Sequence, residues 1–490
     1  VYSTVITEDG DDVINVKSGA VLNYGNAQID AGDGNDTINL DKGSLIGNNG
    51  YSGTRIYGGD GNDTFNMNGD VDGGALYGDG GNDTFNLGST GVLKNGSIIY
   101  ANGGDDIINI GGTVQEETQI LGDEGYDTIT IKSGGVVDNS LIYADDQNED
   151  IYSDIGNEIN IYGTVKNNSS VYGGAGVDTV NINGTVEDSY INTRSGGDFI
   201  TMTGGKVKNS KIDTGTGDDE VDMRKGSITN DTEIYTREGV DTVNIDGKFV
   251  SETKKTKVET GSGDDIINVS GEVIGNMSIG GEGQVELNTD SGNDTVNINK
   301  GAKVSFTSID TGLGNDDLNI TGDKDNVSST VLNNVNVNLE KGVDNVKIEN
   351  ATLHNVAIDT DDNSVDGKTT VDVDNSHLDR TKFYTGDDND TINIRNTVIK
   401  DDESDQWGST IRAEGGDDTV NIESSNISGK KAEIDTDNYR GEHPENDGND
   451  TLNIKDTTIN SIRFIKTGGG DDTVHVTNLS LIHISEPTRL

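Results

Sequence analysis

The segment GGDGNDTFNM (58–67) is followed almost unchanged by GDGGNDTFNL (78–87), and related segments recur along the whole 490-residue chain. Eighteen aspartates align on this motif; seventeen have Gly two residues earlier, and thirteen have Asn three residues later. The commonest interval between them is 20 to 24 residues. A repeat of this length indicates a solenoid in which one repeat is one circuit of the chain. The aligned residues are Asp12, Asp36, Asp63, Asp83, Asp106, Asp127, Asp178, Asp198, Asp219, Asp241, Asp265, Asp294, Asp316, Asp344, Asp390, Asp418, Asp450 and Asp472.

Apolar residues keep fixed places within each repeat. Two follow the Asp at its second and fourth positions, as Ile38 and Leu40 do; one follows a Gly, as in GTV (184–186); and one precedes the next Asp by seven residues, as Ile56 does. Alternation over four residues indicates a short strand, and the Gly, Asn and Asp between such runs favour turns. The sequence therefore predicts an all-β fold, a single-stranded parallel β-helix (β-solenoid) of about twenty coils of ~20–24 residues with three short strands per coil. Two of these coils, near 154–161 and 365–373, are degenerate.

The repeat predicts one domain, residues 1–480, with no visible caps, and we expect it to be part of a longer chain. The last ten residues, LIHISEPTRL (481–490), break the repeat and resemble a translated sequencing adapter, so they are interpreted as a non-native tail. Three longer segments, 143–154, 400–409 and 435–448, are expected to be surface insertions, tolerated or partner-binding.

Composition excludes several classes of function. The chain has 88 acidic and 35 basic residues, a formal net charge of -53 and no Cys. A charge of this sign disfavours binding to nucleic acid or to anionic membranes, and no run of about 20 apolar residues is present to span a bilayer. Disulfides and thiolate metal sites are excluded as well. Bound cations are the partners that the charge favours.

Stacked coils would place the aligned aspartates in a file with neighbours about 5 Å apart. Two carboxylates at that distance repel by ~3.5 kcal/mol at an effective dielectric constant of 20. Either they stay hydrated or cations lie between them. Carboxylate and carbonyl oxygens, without Cys and with only five scattered His, suit Ca²⁺ better than Mg²⁺ or Zn²⁺. A Gly/Asn/Asp turn without metal is the alternative.

The turn resembles a known calcium-binding motif. GGDGNDTFN (58–66) and GGAGVDTVN (173–181) fit the glycine-rich nonapeptide of RTX proteins, in which turn carbonyls and the Asp carboxylate bind Ca²⁺ between successive turns. The resemblance implies ligands from Gly59, Gly61, Asp63, Gly174, Gly176 and Asp178, and by weaker matches from Asp36, Asp83, Asp106, Asp265, Asp316, Asp418 and Asp472. RTX nonapeptides run in tandem, whereas this chain has one per coil.

The longer repeat resembles the β-helix passengers of bacterial autotransporters and large surface adhesins. This resemblance implies a secreted or cell-surface location on a bacterium, a role as a calcium-stabilised stalk or contact surface, and a glycan or protein partner on a host or neighbouring cell. Two alternatives stay open. One is a polysaccharide-active enzyme of the lyase or epimerase type, although no catalytic residue stands out from the repeat and no enzymatic activity is expected. The other is an ice-binding face formed by the Thr and Asn files after each Asp, such as Thr64 and Asn66.

Overall fold

A computed structural model describes residues 4–22, 27–47, 53–145, 155–278, 284–360, 367–401, 408–437 and 448–481. The chain is a parallel β-solenoid of about 19 turns, as predicted, and its described residues contain no α-helix. It divides into two compact units, Val1–Glu238 and Gly239–Leu490, which are described separately. Of the three predicted insertions, 146–154, 402–407 and 438–447 lie outside the described residues, as does the tail from residue 482.

The first strand of each coil begins at the residue immediately after the aligned position. In the first unit these strands are Val13–Val16, Thr37–Leu40, Thr64–Met67, Thr84–Leu87, Ile107–Ile110, Thr128–Ile131, Glu158–Ile161, Thr179–Ile182, Phe199–Met202 and Glu220–Met223. In the second unit they are Thr242–Ile245, Ile266–Val269, Thr295–Ile298, Asp317–Thr321, Asn345–Glu349, Thr370–Asp374, Thr391–Arg395, Thr419–Glu423, Thr451–Lys455 and Thr473–Thr477.

The second strand follows a turn that usually contains Gly. In the first unit these strands are Val21–Leu22, Leu45–Gly47, Asp70–Asp72, Val92–Lys94, Thr113–Gln115, Val136–Asp138, Thr164–Lys166, Thr185–Glu187, Lys206–Lys208 and Ile228–Asn230. In the second unit they are Lys248–Val250, Glu272–Ile274, His377–Asp379, Val398–Lys400, Asn426–Ser428, Thr458–Ser461 and Ser480–Leu481.

The third strand leads into the next Asp turn. In the first unit these strands are Thr4–Ile6, Gln28–Asp30, Arg55–Asp60, Ala75–Gly80, Ile98–Gly103, Gln119–Glu124, Leu141–Tyr143, Ser170–Ala175, Tyr190–Ser195, Lys211–Asp213 and Glu233–Tyr235. In the second unit they are Thr256–Glu259, Val285–Asn288, Lys382–Tyr384, Thr410–Arg412, Glu433–Asp435 and Phe464–Lys466.

Three coils of the second unit depart from the predicted three strands. Their second and third strands form single eight-residue strands, Lys303–Asp310, Val331–Asn338 and Thr352–Asp359. The corner in each is one residue with positive φ, Phe306 (52°), Asn334 (54°) or Asn355 (52°). Because a single left-handed residue turns the chain without leaving the ladder, the backbone pairing continues on both sides of it.

Equivalent residues of successive coils pair directly, in parallel. Thr64, Phe65 and Asn66 lie opposite Thr84, Phe85 and Asn86, and the same register holds at the other first strands within each unit. The apolar residues predicted to point inward are buried, and the Phe65 and Phe85 rings stack with centroids 4.5 Å apart. A narrow core of stacked side chains therefore suffices for a chain that is only 30% hydrophobic.

The Gly that lies two residues before most of the aligned aspartates is required by close backbone contact. Gly81 has φ +124°, and a Cβ atom on it would lie 2.1 Å from the carbonyl oxygen of Gly61 in the preceding coil. In the second unit a Cβ on Gly292 would lie 1.7 Å from the carbonyl oxygen of Gly263. Both the backbone conformation and the space admit only Gly, which explains why this residue recurs so regularly.

The replacement Gly81→Ala tests this contact. We expect it to lower the free energy of unfolding by more than the ~1 kcal/mol that left-handed backbone costs an alanine, because the methyl group also meets a backbone oxygen. The matched control is Gly134→Ala, which has φ +89° and open space around the added methyl group. Thermal or denaturant unfolding measures both variants, and equal losses would contradict the close-packing explanation.

Candidate functional site

The aligned aspartates form an inner ladder along each unit. In the first unit the backbone N–H of Asp63 donates to Oδ1 of Asp83 at 2.7 Å, and that of Asp83 donates to Oδ1 of Asp106 at 2.6 Å. In the second unit Asp265 donates in the same way to Asp294, at 2.8 Å. One oxygen of each of these carboxylates thus accepts a backbone hydrogen bond that links its coil to the preceding one.

The second carboxylate oxygen is buried without a hydrogen-bond partner in seven of these residues. Their side chains are at most 1% exposed, which excludes the prediction that the carboxylates stay hydrated. An isolated buried carboxylate is strongly unfavourable unless a positive charge or a proton accompanies it. The seven residues are Asp36, Asp63, Asp83, Asp106, Asp127, Asp178 and Asp418.

Burial raises the pKa of these carboxyl groups, and the neighbouring carboxylates raise it further. The pKa is about 8 for Asp83 and Asp178 and about 10 for Asp418, even though a backbone N–H donor lowers it in each case. For Asp63 and Asp316 burial raises the pKa to about 6. The inner ladder therefore binds either protons or cations near neutral pH.

Asn157 occupies the Asp position of the degenerate coil near 154–161. Its Oδ1 accepts the N–H of Asp127 at 2.8 Å, and its own N–H donates to Oδ1 of Asp178 at 2.7 Å. Its Nδ2 is buried without a hydrogen-bond partner. The backbone ladder therefore needs only the side-chain carbonyl oxygen, and the negative charge of the aspartates is not needed for stacking.

The glycines implied by the RTX resemblance lie in the turn as expected. Gly59 and Gly61 have φ +112° and +137°, and a Cβ on either would lie 1.9 Å from a carbonyl oxygen of the preceding coil. Gly174 and Gly176 have φ +143° and +96°. Backbone carbonyl oxygens of successive coils therefore pack closely against this turn, on the chain segment that carries the buried Asp.

Two features of the turn were not recognised in the sequence. Gly78 and Gly122, five residues before Asp83 and Asp127, are buried and face the carboxylate: a Cβ on either would lie 2.1 Å from Oδ2. Where the residue immediately before the Asp is Asn or Asp, it forms a second, outer ladder, in which the N–H of Asn62 donates to Oδ1 of Asn35 at 2.9 Å. Gly recurring five residues before Asp was the available signal for the first feature.

Asp472 differs from the other predicted ligands. Its Oδ1 accepts the N–H of Asp450 at 3.1 Å, but the residue is only half-buried. Its carboxylate therefore remains in contact with water, and its burial gives no reason to expect an ion there.

The donor set fits Ca²⁺. The ladder offers buried carboxylate oxygens and nearby backbone carbonyl oxygens, and Ca²⁺ takes oxygen ligands in flexible geometry. Within the described part of the chain, no three or more His, Cys, Asp or Glu side chains converge on a metal position. An ion at the ladder would therefore be held by one or two carboxylates together with carbonyl oxygens of adjoining coils.

The outward face of the first strands carries the predicted polar files. Asn side chains form an amide ladder in which Nδ2 of Asn66 donates to Oδ1 of Asn39 at 3.0 Å, and Asn86 donates to Asn66 at 3.1 Å. The Thr file is interrupted, because Ile107 and Phe199 occupy its positions and are 45% and 44% exposed. The Asn file is interrupted too, for example by Thr130, Thr201 and Lys347, so neither file is continuous.

A shallow basic cavity lies on the second unit. Its lining includes Gln284, Asn334, Asn355, Arg380 and Lys382, and its volume is about 220 Å³.

A contact between a histidine and a carboxylate lies beside this cavity. Nδ1 of His354 lies 2.5 Å from a carboxylate oxygen of Asp379, the residue before Arg380. Basic and amide side chains thus gather at one place on a strongly acidic chain, a grouping that the sequence did not reveal.

No protein-family model matches this sequence, and no curated protein matches it. Solved structures with a similar fold include a hyperactive, Ca²⁺-dependent, β-helical antifreeze protein from an Antarctic bacterium, with 18% identity over 68% of this chain and 84% of that chain and a TM-score of 0.37. The PL6-family alginate lyase AlyGC has 7% identity over 98% and 100% of the two chains and a TM-score of 0.20.

A hyper-glycosylated TibA55-350 fragment, glycosylated by TibC, has 13% identity over 96% of this chain and 99% of that chain, with a TM-score of 0.14. At sequence identities and TM-scores this low, structural similarity does not indicate function. Among the described residues no helix is long and apolar enough to cross a membrane.

The raised pKa values predict an unusual pH dependence for the metal-free protein. A carboxyl group with a folded pKa of about 8, as for Asp83, and an unfolded pKa of about 3.9 holds a proton only in the folded state between those values. Its stabilising contribution is complete below about pH 4 and is lost as the pH rises through 8. Protein stripped of metal by a chelating resin should therefore unfold at a lower temperature at pH 8 than at pH 5.

With Ca²⁺ present the trend should reverse, because cation and protons compete for the same carboxylates. Thermal unfolding at both pH values, with and without the metal, checks the pair of trends. Stability of the metal-free protein that rises from pH 5 to pH 8 would contradict the burial of unpartnered carboxylates.

Proposed function

We propose that this chain is a calcium-dependent β-solenoid segment of a secreted or surface-attached bacterial adhesin. The observation that carries the proposal is the row of buried Asp Oδ2 atoms without hydrogen-bond partners. Bound Ca²⁺ would supply the positive charge that compensates these carboxylates. Because the aspartates of successive coils come together only on folding, metal binding would be coupled to folding.

The cellular location follows from the same argument. A solenoid that needs about millimolar Ca²⁺ stays loosely folded inside a cell and becomes stiff outside it. The outward faces of the folded coils, which carry Asn and Thr files and surface loops, would then contact glycans or proteins of a host or neighbouring cell. This location and these partners are supported by the calcium argument and by the resemblance to adhesins.

The calcium dependence is tested by circular dichroism of the full chain. Chelation at pH 8 should remove most of the β-sheet signal, and Ca²⁺ should restore it while Mg²⁺, which demands tighter octahedral geometry, should not. A spectrum that is indifferent to the chelator would defeat the calcium function and leave the solenoid fold intact.

Two adjacent residues allow a matched comparison in this assay. Asp106 is buried, whereas Asp105 is exposed in the same turn. Asp106→Asn keeps the oxygen that accepts the N–H of Asp83, as Asn157 does naturally, and should raise the stability of the metal-free protein by about 1–3 kcal/mol while reducing bound Ca²⁺. Asp105→Asn removes the same charge and should change neither quantity appreciably.

A polysaccharide-active enzyme is the second candidate, and the basic cavity favours it. Arg and Lys side chains recognise carboxylates, and Asn and Gln amides bind sugar hydroxyl groups, so the cavity suits an acidic sugar residue. The imidazole of His354 and the carboxylate of Asp379, which lie beside the cavity, could supply the general acid and the general base that such an enzyme would need.

The test is loss of viscosity of alginate and pectin solutions. Activity that disappears in Arg380→Gln and Lys382→Gln, and persists in Lys303→Gln on an adjoining coil, would establish this candidate. No loss of viscosity with wild-type protein would reject it. An ice-binding role stays a hypothesis that an ice-shaping assay tests, and the interrupted Thr file does not favour it.

A further inference from the structure

One buried position divides the coils into two groups. It lies five residues before the Asp in most coils, at the inward-facing place where the third strand meets the turn. It is Gly or Ala in one group of coils: Ala31, Gly58, Gly78, Ala101, Gly122, Gly173 and Ala413. It is Thr in the other group: Thr193, Thr214, Thr236, Thr260, Thr289, Thr311 and Thr385.

In the Gly coils two acceptor oxygens converge on a bare α-carbon. A Cβ on Gly122 would lie 2.1 Å from Oδ2 of Asp127 and 2.2 Å from the carbonyl oxygen of Ala144 in the next coil. At Gly78 the corresponding distances are 2.1 Å to Oδ2 of Asp83 and 2.5 Å to the carbonyl oxygen of the next coil. Neither carboxylate oxygen has a hydrogen-bond donor, so the oxygens repel each other unless a cation lies near them.

In the Thr coils a hydroxyl group occupies this place. Oγ1 of Thr289 donates to the carbonyl oxygen of Thr311 in the next coil at 3.1 Å, and Oγ1 of Thr193 donates to that of Thr214 at 3.1 Å. At the equivalent place before a longer loop, Oγ1 of Thr436 donates to Oδ2 of Asp450 at 2.7 Å. The hydroxyl group can therefore reach either of the two oxygens that converge in a Gly coil.

We propose that this position sets how strongly each coil depends on calcium: coils with Gly or Ala require the cation, whereas coils with Thr keep their structure at low calcium. The inference rests on the proposed function, since it assumes that Ca²⁺ is the cation. A hydroxyl proton relieves the repulsion between carboxylate and carbonyl oxygens only in part, so Thr coils would still bind Ca²⁺ but lose less without it. Calcium dependence then varies along the chain with the identity of one residue.

Hydrogen exchange of the full wild-type chain, followed by mass spectrometry with and without chelator, tests the proposal. Within a solenoid each coil contacts mainly its neighbours, so protection is lost locally. Chelation should increase exchange in peptides from 57–127, which contain Gly and Ala coils, about 10- to 100-fold more than in peptides from 260–316, which contain Thr coils.

The two possible failures are distinguishable. Equal loss of protection in both regions would overturn the proposal while leaving the calcium function in place. Loss in neither region would overturn the calcium function and the proposal together.

Removal of the hydroxyl groups provides an independent check within the second unit. The triple variant Thr260→Val, Thr289→Val and Thr311→Val keeps the side-chain shape, and we expect chelation to accelerate exchange in 260–316 as strongly as in 57–127. The matched control is Thr295→Val on the outward face of the first strand, which should leave the wild-type pattern unchanged. A triple variant with wild-type exchange in chelator would contradict the role of the hydroxyl groups.

Discussion

The rest of this structure depends on one interaction, a carboxylate that is buried in nearly every coil. One of its oxygens is bonded to the adjoining coil, and in the coils with Gly or Ala the other oxygen has no hydrogen-bond donor. The first oxygen helps to hold successive coils in register, since it receives the N–H of the equivalent residue. The second oxygen makes that register costly unless a proton or a cation is supplied. Stacking and cation binding are therefore two consequences of one side chain.

The glycines of the turn make this arrangement possible. Only a residue without Cβ lets the carbonyl oxygen of one coil approach the backbone of the next as closely as Gly61 approaches Gly81. The same approach brings carbonyl oxygens into the neighbourhood of the buried carboxylates, where a hard cation can use both. Asn157 shows the separation of the two roles, because it keeps the backbone ladder while carrying no charge.

Much of the fold could be predicted from the sequence because the repeat encodes it directly. The spacing of the aligned aspartates gives the circuit, and the alternation at Phe65 and Met67 gives the strand and its buried face. The first eight-residue strand could not be predicted, because its corner depends on a left-handed conformation at Phe306, a residue type with no preference for it. The local sequence pattern of a repeat does not indicate where such a corner occurs.

The candidate site was predicted in its residues but not in its environment. Repulsion between stacked carboxylates pointed to cations, yet the sequence left open a hydrated file, and the near-complete burial of Asp63 and Asp178 excludes that alternative. Burial depends on how the turn packs against the adjoining coils, which no single repeat specifies. The contrast between Gly122 and Thr289 acquires meaning only when both are placed beside a carboxylate.

The most direct measurement is a crystal structure of the calcium-loaded protein with anomalous diffraction data collected at a long wavelength, where Ca²⁺ scatters strongly. The account predicts anomalous peaks within 2.3–2.6 Å of Oδ2 of Asp63, Asp83, Asp127 and Asp178. An inner ladder without such peaks, in crystals grown at neutral pH and millimolar Ca²⁺, would contradict it.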